Sequence, residues 1–409
     1  MSPGAAQADR HRDQALAVVT AFLALFSIVG FALYGLPRFY PFFVLDLGWT
    51  RQQVTSGNAY SKVGVALAFG FLAGRLVDAF GPKRIMIVGV LIAGGALIGL
   101  SEVSGFGAFY FFYCMNALGY VCGGPLPNQV LLSRWFDAAR GKAMGVAYLG
   151  IGVGGALVPL VANRLSVAFG WRGALKILGL LMILVALPAA LWVREPPRTG
   201  PAGAPGQRSG AASLGAVLRR RAFYLLALGS MASIGAVGGT IQNLALYLRL
   251  DRKLTQADVD ATLSWILFAS IAGRLLMGWL ADRWARKRVM ILIYVIVAGS
   301  IPLIALAPDA TTLRTAAILF GIGLGGDYMI IPLMAADLFG LALMGRVMGI
   351  VLTADGVAEA IVPMAVATTR DRTGSYDNGF MILVALAAIG AIAVSLLPSR
   401  SAPALPKQS

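Results

Sequence analysis

Twelve stretches of mainly apolar residues, each about as long as a membrane-crossing helix, constrain this chain more than any other feature. A helix needs about 20 such residues to cross the hydrocarbon core of a bilayer. The stretches cover residues 15–44, 55–77, 84–102, 107–133, 141–168, 171–193, 222–249, 258–281, 288–307, 312–338, 345–369 and 376–397. No ten-residue alternating pattern of a membrane barrel recurs. The sequence therefore predicts an all-α polytopic membrane protein with twelve spans. The first span exceeds signal-peptide length and is expected to be retained.

The composition excludes the soluble alternatives. Hydrophobic residues make up 58% of the chain and charged residues 13%, whereas an ordinary globular domain carries about 25% charged residues. So few charges cannot cover a water-exposed surface. The only two cysteines, Cys114 and Cys122, lie in one apolar stretch, so a disulfide-framed secreted protein is excluded as well.

A break in the middle of the chain and an internal repeat divide the spans into two sets of six. Residues 194–221 contain a Pro/Gly/Ala-rich run, which is typical of a flexible linker. The motif at 74–84 recurs at 278–288, and Gly-Lys-Ala-Met-Gly at 141–145 recurs as Gly-Arg-Val-Met-Gly at 345–349, both at an offset of 204 residues. We therefore expect bundles over 15–193 and 222–397, the linker at 194–221, and tails at 1–14 and 398–409.

The net charge of +16 predicts orientation rather than nucleic-acid binding. If both termini are cytoplasmic, the inner segments hold roughly twice as many lysines and arginines as the outer loops, as the positive-inside rule requires. The basic cluster Arg219–Arg221 is then expected against anionic lipid headgroups. The prediction is a multi-pass cell-membrane protein, in the inner membrane of a Gram-negative cell, with the lipid bilayer as a partner and no nucleic acid.

Four short motifs carry a resemblance to known transporters. Twelve helices in two halves, with the run at 74–84 between the second and third, resemble the major facilitator superfamily. Gly-Trp-Thr-Arg at 48–51, Ala-Asp-Leu-Phe-Gly at 336–340 and Arg-Asp-Arg-Thr-Gly-Ser-Tyr at 370–376 are similar to monocarboxylate transporters and bacterial oxalate:formate antiporters. The resemblance implies two pseudo-symmetric six-helix bundles and transport by alternating access.

Few charges remain inside the predicted spans once loops and tails are set aside. They are the cations Lys62, Lys176 and Arg274 and the acids Asp327, Asp355 and Glu359. A charge at the centre of a membrane helix costs roughly 2.5–3.5 kcal/mol on insertion scales, so such residues are expected to face a cavity or one another.

Arg274 is the strongest candidate for substrate binding. It lies eight residues before Asp282, roughly 12 Å from the inner end of its helix at 1.5 Å per residue. A guanidinium keeps its charge and matches a carboxylate with a planar fork. The alternative is a structural ion pair with one of the acids. The resembled monocarboxylate transporters carry an acid four residues before this arginine, where this chain has Ser270.

The three acids are candidates for carrying a proton. Asp355 and Glu359 are four residues apart and share a helix face. Two neighbouring carboxylates resist ionising together, so one can hold a proton near neutral pH. Asp327 is the third candidate, and salt bridges to Arg274 or Lys62 are the equal alternative. The oxalate-exchanging relatives place a lysine where this chain has these acids, which favours a monocarboxylate over a dianion.

Other polar residues could complete the site or the gate. Uncharged donors on probable cavity helices are Tyr34, Asn116, Tyr120, Tyr148, Asn243 and Tyr328, together with Gln242 and Tyr247. The alternatives for these are hydrogen bonds between helices or an interfacial aromatic belt. Lys62 is a candidate for substrate binding or gating, and the alternative is that its side chain extends to the outer membrane interface. Lys176 is expected at that interface. The resemblance implies that Asp78 and Asp282, with Arg75 and Arg283, act in gating.

The sequence favours a secondary transporter of small monocarboxylates such as lactate or pyruvate, coupled to protons. No P-loop, metal-ligand cluster or nucleophile–base set appears, so neither an enzyme nor a cofactor is expected. The alternatives are a multidrug or other organic-solute efflux carrier, an anion exchanger of the oxalate:formate type, and a non-transporting receptor. The exact acid, symport against exchange, the direction of transport and the oligomeric state stay open, and a monomer is compatible with the sequence.

Overall fold

A computed structural model describes residues 3–195 and 214–398 apart from residue 138. Every regular element in those ranges is helical. The side chains of residues 3–6, 250 and 256, and many of those within 51–71, including Lys62, lie outside the described part. Most of the predicted linker and nearly all of the C-terminal tail also lie outside it.

The helices follow one another through short connections. They are α1 (Pro3–Ser27), α2 (Tyr40–Leu47), α3 (Arg51–Phe80), α4 (Pro82–Leu100), α5 (Phe106–Gly123), α6 (Pro125–Trp135), α7 (Arg140–Trp192), α8 (Leu214–Leu218), α9 (Arg221–Leu246), α10 (Gln256–Arg283), α11 (Arg286–Ala305), α12 (Ala310–Phe339), α13 (Met344–Thr373) and α14 (Asp377–Ser395). π-Helical turns cover Ile28–Gly35 and Tyr247–Asp251, and a 3₁₀ turn covers Leu36–Phe39.

The twelve predicted spans are confirmed. Nine segments of the described chain are long and apolar enough to cross a membrane, and α7 is one of them. With 53 residues, α7 is about 80 Å long, more than twice the bilayer core. Gly170, with φ 67° and ψ 167°, interrupts it and so joins two spans. The helix α3 and the pair α5–α6 complete the twelve.

Two spans differ from the continuous helices that the sequence predicts. The first is helical from Pro3, within the predicted tail, and passes through π and 3₁₀ turns before α2 ends at Gly48. The stretch 107–133 is two helices, because Gly124 leaves the helical region before Pro125, and a proline disfavours helical backbone in the residue before it. The side chain of Asn128 donates to the carbonyl oxygens of Gly123 and Gly124 at 3.0 and 2.6 Å, which satisfies part of the break.

The first compact unit comprises Met1–Asp137, Val146–Leu214 and Leu341–Ala360. Its core contains an aromatic cluster in which the Phe43 ring lies edge-on to Phe109 and Trp171 at 5.6 and 5.2 Å between centroids. Trp49, from the Gly-Trp-Thr-Arg motif, packs edge-on to Phe109 at 5.0 Å. This motif therefore supplies a core residue, and Thr50 begins α3 with a capping box to Gln53.

The second unit comprises Ala138–Gly145, Gly215–Gly340 and Ile361–Ser409. Its most extensive helix contact joins α10 and α12. A Cβ atom added at Gly321 or Gly325 would lie 2.4 Å from the Ile266 carbonyl oxygen or 2.3 Å from the Ser270 carbonyl oxygen. These glycines therefore bring the two backbones into direct contact, as small residues do in membrane helices.

Candidate functional site

Arg274 lies buried in the second unit, on α10, with 8% of its surface exposed. Its Nη1 donates to the Ser270 hydroxyl one turn earlier at 2.9 Å, and that hydroxyl donates to the Leu267 carbonyl oxygen at 2.8 Å. The position where the resembled family has an acid thus holds a neutral partner of the arginine. A cation this deeply buried needs compensation by anionic or polar groups.

Two glycines fix the backbone around this arginine. A Cβ at Gly325 on α12 would lie 2.8 Å from the Arg274 nitrogen, and one at Gly145 on α7 would lie 2.6 Å from its carbonyl oxygen. Because only glycine fits at these approaches, the guanidinium projects from a backbone that neighbouring helices hold on two sides.

Asp327 is the most enclosed of the predicted acids. It lies on α12 in the second unit with 0% of its surface exposed. The Ser233 hydroxyl on α9 donates to its Oδ2 at 3.0 Å, and its Oδ1 has no hydrogen-bond partner among the described residues. Ser233 was not among the candidates from sequence, because a serine in an apolar span gives no signal that separates it from other small residues.

The other two acids lie in the first unit, on α13. Asp355 is buried and Glu359 is partly exposed one turn later, as the four-residue spacing predicts. Tyr120 on α5 is within electrostatic range of Glu359, Tyr34 and Tyr148. The structure therefore brings three of the predicted tyrosines and one predicted acid into the same region of this unit.

Several predicted polar residues make hydrogen bonds within their bundles. The Asn116 amide donates to the Ala32 carbonyl oxygen at 3.3 Å, and the Asn243 amide donates to the carbonyl oxygens of Gly239 and Pro363 at 2.9 and 3.2 Å. The Tyr148 hydroxyl accepts a hydrogen bond from Gln129, another residue that sequence reasoning missed. These contacts match the interpretation as hydrogen bonds between helices.

The remaining polar candidates differ in exposure. Tyr247 donates to the Ala305 carbonyl oxygen at 2.6 Å, which gives it a structural partner. Tyr34 is 45% exposed, Tyr328 is partly exposed beside Asp327, and Gln242 is exposed.

Lys176, on α7 six residues after Gly170, forms an ion pair with Glu102. Its ammonium contacts the Glu102 carboxylate, and both side chains are at least half exposed. The hydrogen bond from Lys176 lowers the pKa of Glu102. The interfacial position of Lys176 stays a prediction.

Asp78 and Asp282 each accept hydrogen bonds from the first turn of another helix. In the first unit, Asp78 accepts from the Gly345 and Arg346 backbone N–H groups, both at 3.1 Å. In the second, Asp282 accepts from those of Gly141 and Lys142 at 2.7 and 2.9 Å. These N–H groups lack partners within their own helices, and a helix N-terminus attracts an anion.

The basic neighbours of the two aspartates are arranged differently. Arg134 and Arg346 lie 3.9 and 3.7 Å from the Asp78 carboxylate. Arg283, next to Asp282, stacks instead on the Trp279 ring at 4.1 Å, and Arg75 is exposed.

These features together define the class. Helices with large apolar side chains at their surfaces, including Val167, Leu184 and Trp192, enclose a few buried charges, and the capping contact occurs twice. This is the organisation of a membrane transporter. The chain belongs to the Major Facilitator Superfamily, whose family model matches residues 20–363 and 244–409. Proteins of this family are transporters and not enzymes, and they generally need no cofactor. The described residues contain no group of three side chains that could hold a metal ion.

Curated relatives carry several different substrates in their names. The chain is 28% identical to a probable sulfoacetate transporter, SauU, of Cupriavidus necator over 85% of each chain. It is 28% identical to human Monocarboxylate transporter 11 over 76% of this chain and 68% of that protein. It is 32% identical to the riboflavin transporter RibJ of Trypanosoma brucei brucei over 40% of this chain, but the match spans only 32% of that transporter.

Solved structures with the same fold include FucP, a major facilitator crystallised in the outward conformation. Its TM-score is 0.76 at 15% identity, covering 94% of this chain and 99% of FucP. The human organic anion transporter MFSD10 has a TM-score of 0.70 at 14% identity, covering 96% of this chain and 100% of MFSD10.

Proposed function

We propose that this chain is a proton-coupled secondary transporter of small monocarboxylates that works by alternating access. The observation that carries the proposal is the buried Arg274, held by Ser270 in the middle of a membrane helix. A permanent positive charge there attracts an anion, and its planar donors suit a carboxylate. The relatives named for sulfoacetate and monocarboxylates support a small organic anion.

Proton coupling is proposed from the charge balance. Three acids, Asp327, Asp355 and Glu359, lie in membrane helices of a chain whose only histidine, His11, is near its N-terminus. A carboxylic acid is therefore the group available to take up a proton together with the substrate anion. The tyrosines Tyr34, Tyr120 and Tyr148 would supply neutral hydrogen bonds to the substrate.

Asp78 and Asp282 are proposed as gating residues. Each holds a helix N-terminus in the arrangement described above, and release of these contacts would allow bundles over residues 15–193 and 222–397 to rock around a midplane site. The proposal includes a cytoplasmic location for the linker 194–221 and for both termini, in a bacterial-type cell.

The test is uptake into proteoliposomes. Purified protein is reconstituted, a pH gradient is imposed, and the uptake of labelled lactate, pyruvate and acetate is measured. We expect gradient-driven uptake that Arg274→Ala weakens. Loss of a charged hydrogen bond is worth about 1.5–3 kcal/mol, or a roughly ten- to hundredfold higher half-saturation concentration. The exposed Arg288, changed to alanine, is the matched control. Uptake that ignores the gradient and survives Arg274→Ala contradicts the proposal.

A sulfonated carboxylate is a second candidate. SauU is the relative named above with the largest matched share, 85% of both chains, and the sulfoacetate in its name carries a sulfonate beside a carboxylate. Sulfoacetate added as a competitor in the same assay distinguishes the two candidate substrates. Low concentrations of sulfoacetate should inhibit lactate uptake only if the site accepts a second anionic group. Efflux of lipophilic cations, without uptake of either acid, favours the multidrug alternative.

A further inference from the structure

The environment of Asp327 separates it from ordinary membrane carboxylates. It has no solvent exposure, and Ser233 is its only hydrogen-bond donor among the described residues. None of the ion pairs within the described chain includes it. An ionised carboxylate can accept about four hydrogen bonds, and here it accepts one, from Ser233.

The elements packed around α12 carry few groups that could stabilise a negative charge at this level. On α10, Arg274 lies beside Gly325, and its Nη1 donates to Ser270. On α11, the fully buried Tyr294 lies beside Gly390 of α14. On α9 the buried serines Ser230 and Ser233 lie within one turn of each other, and Gly390 of α14 lies beside the Ser233 backbone. A charge buried without a partner costs several kcal/mol, whereas a neutral acid costs far less. The arrangement fits the protonated form.

We propose that Asp327 carries the coupling proton and that Ser233 is its positioning residue. This inference rests on the proposed proton-coupled function and identifies one acid among the three candidates. In the enclosed arrangement Asp327 holds a proton. When water reaches Oδ1, the O–H bond breaks, the proton passes to water, and the carboxylate keeps the hydrogen bond from Ser233. One proton and one monocarboxylate anion then cross together without net charge.

The helix contacts connect this acid to the substrate arginine. Asp327 lies two residues after Gly325 on α12, and a Cβ at Gly325 would lie 2.8 Å from the Arg274 nitrogen. The backbones are too close to slide independently. A shift of α10 on anion binding therefore moves the segment of α12 that carries Asp327. The proton and the anion occupy different groups, and this backbone contact couples them.

The experiment compares two modes of labelled lactate transport in proteoliposomes. Exchange with unlabelled lactate at equal pH on both sides needs substrate binding but no net proton movement, whereas accumulation under a pH gradient needs both. We expect Asp327→Asn, which mimics the protonated acid, to keep exchange and to lose accumulation. Wild-type protein should concentrate substrate roughly tenfold for each pH unit imposed. The exposed Asp371, changed to asparagine, is the matched control and should keep both modes.

A second pair of variants tests the positioning role of Ser233. The serine donates to Asp327, so its loss favours the protonated acid. Ser233→Ala should shift the pH dependence of accumulation to higher pH while exchange at equal pH continues, and Ser233→Thr should restore the profile. An unchanged profile in Ser233→Ala overturns the positioning role.

An infrared measurement separates failure of this inference from failure of the proposed function. A protonated buried acid gives a carboxylic carbonyl band, which should vanish in Asp327→Asn and remain in Glu359→Gln. If wild-type protein transports no monocarboxylate but this band is lost in Asp327→Asn, the proposed function fails and the proton assignment stands. If Asp327→Asn accumulates lactate like wild type, or if accumulation follows a sodium gradient instead, the assignment is wrong.

Discussion

The contact between Asp282 and the start of α7 allows a measurement at the level of single backbone amides. The N–H groups of Gly141 and Lys142 lie in the first turn of α7, where no intrahelical carbonyl can accept them. Their acceptors are the two carboxylate oxygens of Asp282 at 2.7 and 2.9 Å. We therefore expect Asp282→Asn to deprotect these two amides against hydrogen exchange while the rest of α7 stays protected.

The size of the effect follows from the geometry. Asparagine keeps one acceptor oxygen but replaces the second with an NH₂ group, which cannot accept the other N–H. A hydrogen bond to a charged group is worth about 1.5–3 kcal/mol, and the charge at a helix N-terminus adds about 0.3–1 kcal/mol. The loss is about 2–4 kcal/mol, which corresponds to roughly 30- to 700-fold faster exchange where local opening limits the rate.

Hydrogen–deuterium exchange read by mass spectrometry on peptides that cover residues 139–148 measures this directly. The repeated contact supplies the control: Asp78→Asn should accelerate exchange in the first turn of α13, at Gly345 and Arg346, and leave residues 139–148 unchanged. Equal acceleration of both segments in either variant, or no acceleration at Gly141 and Lys142 in Asp282→Asn, would refute this account of the capping contact.

Two further predictions concern stability in detergent. Gly325→Ala places a Cβ 2.3 Å from the Ser270 carbonyl oxygen and should lower the free energy of unfolding by about 1–3 kcal/mol, measured as a lower Tm. Gly299 has open space around it, so the control Gly299→Ala should be neutral or stabilising by about 1 kcal/mol. Asp309 caps α12 by accepting from Thr312 and its neighbour, which lowers its pKa. Its stabilisation is complete above the ordinary aspartate pKa of about 3.9 and is lost as pH falls through the lowered value. Asp309→Ala should therefore lower Tm at pH 7, with a difference that shrinks in acid, and an equal difference at all pH values would contradict the charge argument.

The spans and the family could be predicted from the sequence because both depend on local or repeated features. Twenty apolar residues form a membrane helix whatever surrounds them, because every backbone group must be satisfied within the lipid. Gly170 lies between two predicted apolar stretches, so the sequence predicts a break there. Pro125 lies inside one continuous apolar stretch of 27 residues, which favoured an unbroken helix, and the break at this proline was not predicted.

The partners of the polar residues could not be predicted, because helix rotation is not encoded where every face is apolar. Ser233 and Asp327 are 94 residues apart, and no local pattern connects them. The same reason applies to Asn116 and Asn243: their amides bond backbone carbonyls of neighbouring helix segments. The residue types indicated a polar role, and only the packing assigned the partner.

The duplicated architecture distinguishes contacts that occur in both halves from buried charges that occur in only one. The capping aspartates occur in both copies at the same offset, and each accepts a hydrogen bond from an equivalent glycine in the first turn of a helix. The buried charges are not duplicated. At an offset of 204 residues, Arg274 and Asp327 correspond to Gly70 and Gly123 in the first copy. A contact needed by both halves persists in both, whereas the proposed function needs a single cation for the anion and a single acid for the proton. The asymmetry therefore favours a role in binding for Arg274 and Asp327 over a general structural role, which symmetry would have preserved.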